Sequence, residues 1–410
     1  MRISRVASRS TVLAAGVVLF ASGHAFGGAF EVLQQGARAS GQAEAFAAQA
    51  DDPSAIWYNP AGLTQLHGTN IQAGGYFVLP DYHFHGSQGQ GDASMHQYSF
   101  LPQFYAESDF GLDRFRFGLG VNNVFGLRED WGQTGPLETI MTRGHLYTIN
   151  MQPTVAYEIV DGLSVGVGLN VYYATLDLEH SQVLGPPPTP RGYTRLHGDD
   201  WAVGASPAVM WKIDERNTLG AFYHSPFTLN IDAQASIEAK GIPPIGPSPA
   251  TAPIKMPQIA GIAYAVRPFL PWKLEADVVW SNWSTLQEIK IQSPNSVFNG
   301  STIPTKYHDS WSFRFGTQYD LNSHWAIRGG YAYGNSAVPA STFSPLVPDS
   351  NYHLFSVGLG YSADRWFIDA AYLFILRETR NISDGTNAPY VDGSWHTNMM
   401  GFMITAGVKF

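Results

Sequence analysis

His308-Asp309-Ser310 and His83-Phe84-His85 are the two places where residue type and spacing come nearest to chemistry. An imidazole two residues from a hydroxyl can act as the base that activates it as a nucleophile. Two imidazoles at alternate positions can meet one metal ion on a strand face, but a pair in a loop supplies too few ligands, so it reads as solvated and no metal is expected. The strand pattern around His308 and Ser310 sends both inward, whereas a barrel enzyme that cleaves lipid needs such a pair on its outer face. No glycine loop of a phosphate-binding type occurs. The sequence predicts no enzyme and no cofactor, and attention moves to the elements that carry these residues.

The chain has 410 residues, no Cys, 42 Gly, 13% aromatic and only 14% charged residues. Length alone suits two or three soluble domains. Low charge with abundant Gly, Tyr, Phe and Trp suits strands that meet lipid instead. Beyond the leader no stretch is long and apolar enough for a membrane helix, and the remaining way to cross a bilayer is a closed barrel. Arg2, Arg5 and Arg9, an apolar run from Thr11 to Ser22 and small residues near Ala25 and Gly27 describe an export signal over residues 1–27. A net charge of −9 without a basic run argues against nucleic acid as a partner.

From Thr69 onward the chain alternates. Tyr147, Ile149, Met151 and Val155 share one face of a strand, and Thr148, Asn150, Gln152 and Thr154 share the other. Leu274, Ala276, Val278 and Trp280 likewise oppose Lys273, Glu275 and Asp277. Charge on one face excludes a sandwich core and points that face into water. Short turns near Asp161, Asp214, Pro268, Asn322 and Asp364 alternate with long connections, including Asp81 to His96, the Pro187 run, the proline-rich stretch from Gly241, and Ser336 to Ser350. The pattern predicts about 14 antiparallel strands in one barrel over residues 67–410. Its last strand ends with Met400, Phe402, Ile404, Ala406, Val408 and Phe410 on one face, which resembles the C-terminal signal read by barrel insertion machinery.

The segment before the barrel, residues 28–66, differs in kind. Ala, Gln and Glu favour helix from about Ala37 to Ala50, and Asp52-Pro53 stops it. Trp57, Tyr58, Leu63 and Leu66 are too apolar for a solvated tail, so the segment is expected to fold inside the lumen as a small helical plug. The start GAFEVLQQGARASGQAEAFAAQADDPSAIWYNPAGL resembles the N-terminal hatch of the FadL family of long-chain fatty acid and hydrocarbon transporters. The resemblance continues through FGLRED at Phe125, LYTINMQPTVAYEI at Leu146, VVWSNWSTLQEIKI at Val278, DSWSFRFGTQYDLNSHWAIRGGYAY at Asp309 and GNSAVPASTFSPLVPDSNYHLFSVGLGY at Gly334. It covers essentially the whole mature chain.

The resemblance implies passive uptake across the bacterial outer membrane, with hydrophobic small-molecule cargo captured among outer loops, passed to a lumenal pocket and released sideways through a kinked third strand. It makes Phe30, Val32 and Leu33 the pocket plug, although ordinary packing would use the same residues. Asn59, Pro60 and Ala61 would seat the hatch, since Pro60 fixes φ and holds Asn59 out of helix. Gly118, Gly120, Asn122 and Asn123 would form the lateral gate, with the reservation that glycine is common in barrel strands. Lys306, His308 and Arg314, with Ser312, would meet a fatty-acid carboxylate or else pair with Glu275 or Asp277 across the lumen. A base that fatty-acid members carry on the fifth strand aligns with Thr175, which leaves neutral hydrocarbons open. The expected surroundings are outer-membrane lipid and lipopolysaccharide, and the expected state is a monomer. The competing reading, a nonspecific diffusion porin, requires an unplugged, strongly charged lumen.

Overall fold

The computed structural model describes residues 28–184 and 191–410. The expected export signal and the Pro187 run lie outside the described residues. Among the described residues no helix is long and apolar enough to cross a membrane. The wall is a closed antiparallel barrel of 14 strands.

In chain order the strands are β1 (Thr69–Gly86), β2 (Ser99–Ser108), β3 (Phe115–Asn122), β4 (Arg143–Val160), β5 (Leu163–Val183), β6 (Arg191–Lys212), β7 (Asn217–His224 and Phe227–Ala239), β8 (Ile242–Met256 and Ile259–Phe269), β9 (Trp272–Ser281), β10 (Ser310–Asp320), β11 (Trp325–Gly334), β12 (Tyr352–Ser362), β13 (Trp366–Arg377) and β14 (Gly393–Lys409). Neighbours in sequence pair all the way round. Closure comes from β1 against β14, in register from Asn70↔Lys409 to Gly86↔Gly393. β7 and β8 are each interrupted once, at Ser225-Pro226 and at Pro257-Gln258, where proline removes a ladder donor. Ser225 repairs its end of the break by exchanging bonds with the Ala205 backbone.

Alternation sorts the side chains. Phe77, Leu79, Phe117, Leu119, Trp201, Val203, Phe313, Phe315, Phe402 and Ile404 are exposed on the outer face, while Thr148, Asn150, Gln152, Asn170, Ser206, Glu275 and Asp277 are buried within. That is the arrangement of a barrel with lipid outside and polar groups inside.

Two long connections turn out to be paired strand. The proline-rich stretch from Ile242 to Met256 runs antiparallel to β7, from Phe227↔Met256 to Ala239↔Ile242. Prolines are tolerated there because most of its other edge carries no partner strand. Asp81 to Gly86 continue β1, and Asp92–His96 fold back on them. These strands project past the apolar band, so their polar faces misread as loop.

Residues 28–66 lie inside the barrel, almost wholly buried. The helix expected from Ala37 to Ala50 is only Ala37–Ser40, followed by turns in which Ala43, Glu44 and Ala50 adopt positive φ of 52, 67 and 34°. Helical propensity loses to the wall. Asp277 Oδ2 accepts the Phe46 and Ala47 amides at 3.2 and 3.3 Å, and Glu275 accepts those of Ala48 and Gln49 at 2.7 and 2.8 Å. Four consecutive N–H groups are thus drawn outward from the helix axis they would otherwise share. A second short helix, Ala55–Tyr58, and a 3-10 turn, Pro60–Gln65, complete the segment.

Wall glycines make room for it. A Cβ at Gly330 would lie 2.2 Å from Gln42 C, one at Gly220 2.3 Å from Ala47 O, and one at Gly166 2.5 Å from Ala61 N. These obstacles are backbone, which cannot swing away. Gly330→Val should therefore destabilise the folded protein by about 1–3 kcal/mol through overpacking. The expected readout is a lower temperature for loss of the heat-modifiable gel band, while Val at the neighbouring Gly329, where an added Cβ meets nothing nearer than 3.8 Å, leaves it nearly unchanged.

Candidate functional site

Asn59, Pro60 and Ala61 form the joint between plug and wall. Asn59 is extended (φ −163°, ψ 96°), as the following proline demands. Its side chain accepts the Ala61 amide at 3.1 Å, capping the 3-10 turn, and donates to Ala47 O at 2.7 Å and to Val209 O of β6 at 3.2 Å. One side chain thus ties two parts of the plug to the barrel.

An ionic cluster holds the opposite side. Arg38 contacts Asp51 at 3.1 Å, Asp52 at 3.7 Å and Asp369 of β13 at 3.4 Å, and Lys273 of β9 reaches Asp51 at 2.9 Å. Burial raises the Asp51 carboxyl, but the two cations outweigh it and hold it well below the ordinary range.

The first residues of the plug reach the third strand. The Val32 amide donates to Val124 O at 2.9 Å, and the Gly126 amide to Phe30 O at 3.0 Å. The Phe30 ring is buried edge-on against Trp283 (4.6 Å between centroids) and Phe125 (6.4 Å), in an apolar cluster with Phe227, Tyr172 and Tyr307. Val32 and Leu33 are buried in a separate cluster with Tyr76, Leu101 and Met403. Two cavities, one touching Ala29 and one touching Glu31 and Leu33, hold about 10 and 20 Å³, barely room for one water.

Beside them the wall is incomplete. β2 and β3 pair only from Ser108↔Phe117 to Phe104↔Val121. Past Asn123 and Val124 the chain resumes as Gly126–Asp130, which pairs with β4 but has no ladder with Ser99–Gln103 of β2. The two edges approach again at Gln97 Nε2 and Asp130 O, 3.5 Å apart.

The gate residues divide accordingly. Gly118 and Gly120 sit within regular pairing on both sides, and a Cβ on either would strike Ile56 of the plug at 2.8 Å. They make space, and do not kink the strand. Asn122 is the last paired residue, donating to Tyr105 Oη at 3.2 Å. Asn123 sits in the break itself, where its side chain donates to Thr148 O at 2.6 Å and its carbonyl accepts from Gln35 at 2.6 Å.

The proposed carboxylate contacts are not brought together. Lys306 and His308 are exposed, because β10 begins only at Ser310 and the irregular backbone before it, with Lys306 at φ 47°, breaks the alternation that put them inward. Ser310 is buried, so it shares no face with His308. Arg314 does point in, donating to Ser312 Oγ at 3.0 Å and Glu44 O at 3.4 Å. Glu275 and Asp277 bind plug amides rather than these bases. Thr175 faces outward by alternation; its inward neighbours Tyr172, Ala174 and Leu176 are uncharged and buried.

An outer cavity was missed. It encloses about 330 Å³ between Ile140, Met141, Leu178, Leu196, Ile291, Phe298, Ile303 and Leu346, with Glu179, His180 and Arg195 also in its lining. Arg195 is held by a bidentate pair with Asp177 at 2.8 and 2.7 Å. Its lining comes from seven separate stretches of chain between Thr139 and Asn387, so no local pattern announces it.

With this geometry in view, comparison is decisive. The sequence profile of the outer membrane protein transport protein family (OMPP1/FadL/TodX) matches residues 18–410. The chain belongs to that family. It is 22% identical over 382 residues to the long-chain fatty acid transport protein of Escherichia coli K12, covering 82% of this chain and 84% of that one. It is 25% identical over 421 residues to a putative outer membrane protein of Neisseria meningitidis, covering 90% of each. The structure superposes on a Pseudomonas aeruginosa FadL homologue (TM-score 0.83, 20% identity, 93% of this chain and 100% of that one) and on the Pseudomonas putida toluene transporter TodX (0.71, 18%, 87% and 94%). At such identities the structural likeness shows the barrel fold. The protein is an outer-membrane transport barrel and not an enzyme.

Glu44 makes plug packing sensitive to pH. Burial pushes its carboxyl up to about 7, against hydrogen bonds from Tyr58 and Ser40 and the charge of Arg314. A raised carboxyl favours the folded plug while protonated; that contribution is complete below the ordinary carboxyl range and lost as pH rises through about 7. Burial shifts Asp52 and Glu31 in the same direction. Hydrogen exchange in peptides spanning residues 37–58 should accelerate, beyond its intrinsic pH dependence, between about pH 5 and pH 8.5, and Glu44→Gln should flatten most of that rise.

Proposed function

We propose that this barrel takes up hydrophobic small molecules, long-chain fatty acids or hydrocarbons, by capture at the outer cavity, transfer past Phe30 and sideways release at the break between β2 and β3. The observation that carries this reading is the coincidence of an interrupted wall with a plug segment bonded to the interruption itself. The named activities of the fatty acid and toluene transporters in the family agree with it.

The lumen around Phe30 leaves no room for cargo, so passage requires residues 28–34 to shift. Cargo entering from the outer cavity would press on the cluster of Phe30, Phe125 and Trp283. Displacing Phe30 would break its bond to Gly126 and free the backbone beside Asn123. Apolar cargo then has a direct path into the bilayer. Release into water instead would forfeit about 0.8 kcal/mol per methylene, or roughly 8 kcal/mol for ten. A cargo carboxylate would be received at the outer cavity, where Arg195 and His180 line the wall; nearer Phe30 the small cavities carry Arg314 and Arg377, the latter paired with Asp349.

The protein would act as a single chain surrounded by lipid and lipopolysaccharide, delivered there by the insertion machinery its final strand addresses. The diffusion-porin reading is disfavoured by a lumen filled with packed side chains. Deleting residues 28–66 should raise small-ion conductance several-fold in planar bilayers; an already large conductance in the intact protein would favour the porin.

Ser99→Trp places bulk on the inner side of the break. In cells lacking their own fatty acid and hydrocarbon uptake, it should cut accumulation of labelled oleate or hexadecane at least about fivefold at equal amounts of barrel, with conductance unchanged and a heat-modifiable band at growth temperature showing that the overpacked variant still folds. Undiminished uptake by this variant would reject sideways release. Mass spectrometry of ligand extracted from the purified barrel identifies the cargo.

A further inference from the structure

The polar end of β1 brings together residues that lie apart in sequence. Along its outward face Phe77 and Leu79 are exposed and apolar, and the next outward positions are Asp81, His83 and His85. The change marks the end of the lipid-facing band on the side of the long connections. Asp92–His96 folds back along this stretch in antiparallel register and sets His96 directly opposite Asp81. Asp81 and His83, two apart on one strand, therefore share a face with His96 on the next.

The ligand atoms converge. His83 Nε2 lies 2.9 Å and His96 Nδ1 2.8 Å from the same oxygen, Asp81 Oδ1, and all three atoms fall within 4.8 Å of one another. That oxygen accepts no aligned hydrogen bond, so the rings approach it without pointing N–H groups at it. The imidazole planes stand 72° apart with centroids at 5.5 Å, presenting their nitrogens from different directions. The scaffold is paired strand on both sides: β14 runs along the other edge of β1, with His396 opposite His83.

We propose that Asp81, His83 and His96 bind one divalent transition-metal ion of the zinc type on the outer face of the barrel. Two imidazoles and one carboxylate are the donor set of an open, three-ligand zinc site, with a fourth position left for water or an exogenous anion. Nitrogen donors favour such an ion over magnesium or calcium, which prefer all-oxygen sites. The site is separate from the plug and lies beside the far end of the break, one residue from Gln97. Its ion would clip the Asp92–His96 arm onto β1 beside the barrel's closing seam. The sequence alone offers His83-Phe84-His85, which is short of ligands; strand pairing replaces His85 with Asp81 and His96.

The test is calorimetric titration of tag-free, chelator-treated full-length protein in detergent with zinc chloride. One equivalent should bind, and His83→Ala or His96→Ala should each weaken binding at least about tenfold. His197→Ala, an exposed histidine on β6, should leave it unchanged, and magnesium chloride should give no saturable heat. Both test side chains lie on the surface, so heat-modifiable migration of the metal-free variants should match the parent and report intact folding. Absence of saturable zinc binding, or binding that survives both variants, overturns the assignment.

Discussion

A segment of chain enclosed by a barrel must find a partner for every backbone N–H and C=O away from water. That requirement governs the inside of this molecule. Asp277 and Glu275 between them accept four consecutive plug amides. Gln152 donates to Ile56 O at 2.6 Å, Gln103 to Gln34 O at 2.5 Å, and Tyr105 to Gln35 O at 2.9 Å. Asn59 serves both plug and wall. The polar inner face is therefore the complementary surface of a particular backbone path, where a water-filled pore would need only solvation.

Cost and specificity follow from the same fact. An ionised carboxylate buried without partners is penalised by several kcal/mol, and pairing with backbone amides offsets much of that. Removing one member of such a set leaves the others stranded, so the plug is held as a unit. The glycines contribute in another way: Gly166, Gly220 and Gly330 let backbone approach backbone, which brings donors and acceptors within reach. A lumen lined by larger residues would keep the plug at arm's length and leave its amides unbonded.

This division explains what could be read in advance. Barrel strands are legible because lipid outside and polar groups inside impose a period of two on each strand separately, as in Thr148 to Thr154 or Met400 to Phe410. Asn59-Pro60-Ala61 is legible because proline acts on its own neighbours. The short helix at Ala37 was not, because Glu275 and Asp277, more than 200 residues away, decide where amides 46–49 point. Parity failed at Lys306 and His308 for a related reason: it holds only where pairing is continuous, and β10 starts at Ser310. Thr175 was misplaced by alignment, although the outward Val165, Val167 and Leu169 on its own strand already assigned odd positions to the lipid side. The outer cavity, assembled from stretches scattered between Thr139 and Asn387, had no local signature at all.

The interruption beside β3 and the plug's leading residues depend on each other. Where β2 and β3 part, the backbone near Val124 and Gly126 lacks a neighbouring strand, and a bare edge buried in a membrane protein is not tolerated. Val32 and Phe30 supply the missing bonds. The leading residues of the plug are thus a substitute strand fragment, attached by two backbone bonds and one aromatic cluster and tied further by the Ala29 amide to Asp349, by Ser281 to Glu31 and by Gln103 to Gln34 O. Under the proposed release, an apolar guest that filled the space of Phe30 would repay the apolar area its displacement uncovers. In the proposed release the two freed backbone groups near Asn123 would have to rebond or meet water, a cost that would set the barrier to opening.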